Sequence, residues 1–136
     1  MTKWKETGLR LVPECAEIIR RAKDSMSCWV ELELVWHDAS IPTKLHILHY
    51  SRWCLDQGGD VLKAVSCAFI EHVVEHSEDL PLFRAWYDDE TIKNLMPLWI
   101  YNYREKANRF VSRLLAITAA EKSQPEILKK RSRKKR

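Results

Sequence analysis

The stretch SIPTKLHILHYSRWCLDQGG, residues 40–59, carries the signals for both ends of a helix. Ser40 is a residue type that caps exposed N–H groups, and Pro42 suits a first turn, where its missing donor costs nothing. Gly58 and Gly59 supply the stop. The rest of the chain uses the same vocabulary. Three glycines occur in 136 residues, two of them this pair, and no run of alternating β-branched residues returns at strand-and-turn spacing. Both features predict an all-α fold.

Upstream, Pro13 followed by ECAEIIRRAKDSM predicts a helix with proline in its opening turn and Ala16, Ile19 and Lys23 along one stripe. WVELELVWH (29–37) reads two ways, since Val30, Leu32 and Leu34 alternate like a strand while Leu32, Val35 and Trp36 share a helical face. Helix is preferred, because a lone strand has nothing to pair with. Downstream, Asp60 is expected to cap VLKAVSCAFIEHVVEH (61–76), and SEDLPLFRAWYDDE (77–90) to form a short helix between acidic turns. The segment from Thr91 to Ser123 has a helical pattern that Pro97 is expected to break or kink. The sum is about six helices, packed antiparallel in one compact bundle or stacked as pairs. The expected organisation is a helical domain over residues 1–124 and a disordered basic tail over 125–136.

Charge marks the same division. The tail PEILKKRSRKKR holds seven Lys/Arg against one Glu, +6 of a net +4, which leaves residues 1–124 at −2. A chain of this length can bury roughly two thirds of its unfolded surface without staples. Cys15, Cys28, Cys54 and Cys67 make no C-x-x-C pair. With a short, polar N-terminus unlike a leader and no apolar run of about 18 residues, they read as reduced thiols of a cytoplasmic protein with no membrane span.

Candidate chemistry is sparse. HVVEH (72–76) matches the H-x-x-E-H pattern of one class of zinc peptidases, in which histidines four apart share a helix face and the glutamate serves as base. His72, Glu75 and His76 are the candidate metal set. On a continuous helix, however, both imidazoles fall within an apolar arc of about 140° with Val65, Phe69 and Val73, which favours histidines packed in the core. No glutamate stands three residues before any histidine, as a di-iron bundle site requires, and no glycine-rich phosphate cradle is present. No cofactor is expected.

Two segments invite partners. Arg84, Trp86, Trp99, Tyr101, Tyr103 and Arg104 crowd a short region, and aromatics with arginine are the residues that anchor protein interfaces. On an ideal helix Trp99 and Tyr101 point about 160° apart, so at least one aromatic should lie outside the core. Lys129, Lys130, Arg131, Arg133, Lys134, Lys135 and Arg136 form a cationic run without interleaved aromatics, suited to sequence-independent contact with nucleic acid.

HILHYSRWCLDQ (46–57) followed by KAVSCAFIEHVVEHSED (63–79) resembles a group of small bacterial all-helical domains. The shared features are Phe69-Ile70-Glu71 and the acidic turn Ser77-Glu78-Asp79. The resemblance spans residues 40–95, and Met96-Pro97-Leu98-Trp99 departs from it. It implies an immunity- or interaction-like role and brings no catalytic residues. The expected function is a non-enzymatic protein-interaction module of the bacterial cytoplasm. The alternatives are a nucleic-acid accessory protein working through the tail, and a zinc-binding protein using HVVEH.

Overall fold

The computed structural model describes residues 1–117. The expected tail, including Lys129 to Arg136, lies outside the described residues. Within them the chain is all-helical, with eight α-helices and three short 3₁₀ turns. Residue contacts divide it into two compact units, Met1–Val73 and Val74–Arg136.

The first unit opens with α1 (Lys3–Leu11), which sequence signals did not announce. Its place follows from two tight contacts. Gly8 is buried against the Tyr50 ring, and the Tyr50 hydroxyl donates to the Trp4 carbonyl at 2.7 Å. The helix expected after Pro13 is subdivided into a 3₁₀ turn at Pro13–Cys15, α2 (Ala16–Arg21) and α3 (Ser25–Trp36). Ala22 is extended, with ψ at 131°, and ends α2, while Asp24 starts α3 by accepting from the Ser27 N–H at 2.8 Å. The α2 carbonyls exposed by this break are not orphaned. Lys5 Nζ reaches from α1 to the carbonyl oxygens of Arg20 and Ala22 at 3.0 and 2.7 Å, a cation at the negative end of a helix.

Residues 40–59 fold as their start and stop signals predict. α4 (Ile41–Leu55) is capped by Ser40, which accepts from the Thr43 N–H at 3.2 Å. Gly58, at φ 70°, turns the chain and takes the N-cap of α5 (Gly59–Ala68) that was expected of Asp60, which sits one residue inside the first turn. α5 packs on α3 and α4, and α1 packs on α2 and α4. The core between them is aromatic. Trp29 is fully buried, stacked on Tyr50 with ring centroids 5.1 Å apart and tilted on Phe69 at 5.1 Å, while Trp36 meets Phe69 edge-on at 5.4 Å. The strand-like alternation of α3 arises because Leu32 is buried while Val30 and Leu34 face outward, the latter 75% exposed.

The second unit contains a 3₁₀ turn at Ser77–Asp79, α6 (Leu80–Trp86), α7 (Asp89–Tyr103) and α8 (Glu105–Leu115). Asp88 caps α7 through the Thr91 N–H at 2.8 Å. The expected break at Pro97 does not occur, since α7 runs through it. Pro97 and Lys93, whose carbonyl loses its donor, both lie on the exposed side, open to solvent. The chain breaks instead at Arg104, whose φ of 49° is the sole positive value outside glycine among the described residues. α8 packs on α7 and α6. Phe83 and Tyr87 stack at 4.0 Å, and Trp99 meets Phe83 and Phe110 edge-on at 6.1 and 5.0 Å.

Candidate functional site

The H-x-x-E-H stretch is not the helix that its metal reading needs. α5 ends at Ala68, residues Ile70–Glu75 form a 3₁₀ turn, and His76, at φ −111° and ψ 54°, has left it. The cause is local. Phe69, Ile70, Val73 and Val74 are all buried, and β-branched and aromatic side chains are poor helix formers. The tighter turn eclipses residues three apart, which aligns Ile70 with Val73. His72 and His76 are half-buried rather than sealed, and Glu75 is exposed, where it accepts the Tyr103 hydroxyl at 3.2 Å. The division between the two compact units falls inside the motif, after Val73. Among the described residues no group of three His, Cys, Asp or Glu side chains is placed to hold a metal ion.

The other histidine pair is structural. His46 Nδ1 meets Glu14 Oε2 at 2.6 Å, and Thr43 donates to the same oxygen at 3.2 Å, tying the Pro13–Cys15 turn to α4. Burial raises the Glu14 pKa, but hydrogen bonds from its own backbone, His46 and Thr43 outweigh it and hold the carboxyl below the usual range. His49 is shifted down, by burial first and by His46 and Arg10 next. All four cysteines are free thiols, Cys67 exposed and the others buried. Burial pushes Cys28 and Cys54 up to about 12, so these are protonated packing groups and not nucleophiles.

The six residues expected to anchor a protein partner separate into two groups. Arg84 and Trp99 are sealed, at 4% and 0% exposure. The Arg84 guanidinium donates to the Tyr87 carbonyl and pairs with Asp89, which closes the turn from α6 to α7. Burial lowers its pKa while Asp88 opposes the shift, and a guanidinium stays charged there. Trp86, Tyr101 and Arg104 are exposed, Tyr101 to 85%. Tyr103 is half-buried, with Lys106 Nζ 5.7 Å from its ring centre. The helical opposition of Trp99 and Tyr101 is therefore as expected, although the proline break behind it is absent.

A further basic feature, which no sequence motif marks, lies on α8. Its buried stripe is Ala107, Phe110, Val111 and Leu114. Beside it, within about 60° on a helical projection, stand Lys106, Arg109 and Arg113, all exposed. Neither Arg109 nor Arg113 pairs with a carboxylate among the described residues. The spacing K-x-x-R-x-x-x-R is present in the sequence, but it becomes a surface feature only once the buried face of α8 is known. This stripe and the tail's basic run are separated by residues 114–128, which hold one Lys against two Glu. Residues 104–136 hold twelve Lys/Arg and three Glu, a balance of +9, whereas residues 1–103 hold eleven Lys/Arg and sixteen Asp/Glu, a balance of −5.

Comparison of the chain with protein-family models, curated proteins and solved structures finds no match. Among the described residues no helix is long and apolar enough to cross a membrane.

Proposed function

We propose that this chain is a non-enzymatic accessory protein that binds nucleic acid without sequence preference through its C-terminal basic segment. The observation that carries the reading is the separation of charge, +9 from Arg104 onward against −5 before it. A polyphosphate is attracted by the C-terminal segment and repelled by the rest of the chain, which favours contact through that segment. Each phosphate neutralised by Lys or Arg releases condensed counterions, which is the main driving force for sequence-blind binding. The reading locates the protein in a reducing cytoplasm, supported by four cysteines that remain thiols.

The test is fluorescence anisotropy with a labelled mixed-sequence oligonucleotide. The native chain is expected to bind in the range of about 10⁻⁴–10⁻⁶ M typical of non-specific contact at physiological salt. Changing Lys129, Lys130, Arg131, Arg133, Lys134, Lys135 and Arg136 to Gln should weaken this by more than about a hundredfold, at an unchanged melting temperature. Equal binding by the two proteins refutes a role for the tail.

A second reading, the protein-interaction module, is supported by Tyr101 and Trp86, 85% and 36% exposed on α7 and α6. It is the role implied by the likeness to immunity-type helical domains. Its test is Tyr101→Ala, which should cost a bound protein partner about 2 kcal/mol or more if the ring fills a pocket.

A further inference from the structure

Beside the basic stripe of α8 the surface is recessed. A groove of about 370 Å³ runs between α8 and the segment that begins the second unit, with Lys106, Arg109 and Arg113 along one side, Glu75 and Ser77 along the other, and Phe110 beneath. A second recess of about 450 Å³ shares Ser77 and Arg113 with the first and adds Glu78. We infer that this groove is a docking site for the sugar–phosphate backbone of single-stranded nucleic acid, a folded site distinct from the tail. The inference rests on the nucleic-acid reading above and adds where, and in what form, the ligand is held.

Three observations carry it. From Lys106 to Arg113 the helix rises about 10 Å, so its cations form a short line suited to tracking consecutive phosphates. Arg109 and Arg113 have no carboxylate partner among the described residues, so no ion pair within those residues has to be broken for them to accept a phosphate. Lys106 is held in place over the Tyr103 ring, whose hydroxyl is fixed in turn by Glu75. Glu75 and Glu78 line the same recesses, so the backbone is expected to lie along the α8 side, against the cations and away from the two carboxylates. A positively charged groove that tracks the backbone is one of the two devices, beside aromatic stacking of the bases, by which proteins without sequence preference hold single strands.

The test uses the full chain with its tail intact. In one variant Lys106, Arg109 and Arg113 are changed together to Gln; in a second they are changed to Arg, Lys and Lys, which keeps the charge. All three side chains are exposed, so both variants should melt with the native protein. Binding to a labelled single strand and to the matching duplex is followed against salt. For the single strand, the Gln variant should bind more than about tenfold more weakly at physiological salt and lose about 2 from the magnitude of its log–log salt slope, three contacts at roughly 0.7 each. The charge-preserving variant should restore both, and duplex binding should be altered less than single-strand binding. An unchanged single-strand slope in the Gln variant, or a loss confined to duplex, overturns the groove. Either result leaves the tail-dependent reading standing, because that reading fails only if the native chain does not bind or the tail can be neutralised without effect.

Discussion

Trp29→Ala is expected to destabilise the first unit by about 3–5 kcal/mol, the range for a buried tryptophan truncated in a core that cannot collapse around the hole. Trp29 is fully buried, and two aromatic rings from later elements lean on it: Tyr50 of α4 and Phe69 just beyond α5, each with its ring centre 5.1 Å away. Neither can move in to fill the space freely. Tyr50 is tethered by its hydroxyl to the Trp4 carbonyl, and Phe69 is in contact with Trp36. Since a domain of this size has only about 5–15 kcal/mol of stability in total, the substitution removes a large share of it. Urea unfolding followed by far-UV circular dichroism reads the change. A loss below about 1 kcal/mol would show that the ring is not the keystone described here.

Gly8→Ala is expected to cost about 1–2 kcal/mol, although the change on an open helix surface would gain close to 1. The added methyl carbon would stand 2.9 Å from Tyr50 Cζ and 3.0 Å from its hydroxyl oxygen. A tyrosine at the surface could swing away from such a contact. This one is stacked between Trp29 and Trp53, at 5.1 and 6.2 Å, so relief requires α1 to move off α4 and the Tyr50–Trp4 bond to lengthen. The double variant with Tyr50→Leu should cost clearly less than the sum of the two single changes, because both act on the same contact. Strict additivity, or stabilisation by Gly8→Ala alone, would show that α1 does not sit as closely as Gly8 permits.

These two sites also show what could be read in advance. Where a helix carries its own start and stop, as α4 does with Ser40, Pro42 and the glycine pair, sequence and structure agree. The helical choice for WVELELVWH was also right, and the misleading alternation came from Val30 and Leu34 standing outward on α3. The failures have three different physical causes. Nothing local marks α1, which depends on Gly8 meeting a tyrosine 42 positions away in the chain. The helical wheel that set His72 and His76 on one face assumed that α5 continued, but burying four consecutive-pair apolar residues, Phe69-Ile70 and Val73-Val74, required a tighter turn. Pro97 was given too much weight because its cost depends on whether the carbonyl it deprives is wet.

The candidate site was legible in part. A cationic tail is plain in composition alone, whereas the α8 stripe acquires meaning only once Ala107, Phe110, Val111 and Leu114 are seen to be buried, which fixes the direction of Lys106, Arg109 and Arg113. The exposed aromatic expected near residue 100 is Tyr101; of the two arginines expected in that region, Arg104 is exposed while Arg84 is sealed and holds the α6–α7 turn.

The central claim is that a segregated positive segment binds polyanion by releasing counterions, and the most direct measurement is the affinity of the native chain for a labelled single strand from about 50 to 300 mM salt. With roughly six to ten cations engaged, log K should fall linearly against log salt with a slope between about −4 and −7. A slope near zero, or no binding at the low-salt end where attraction is strongest, would contradict the account.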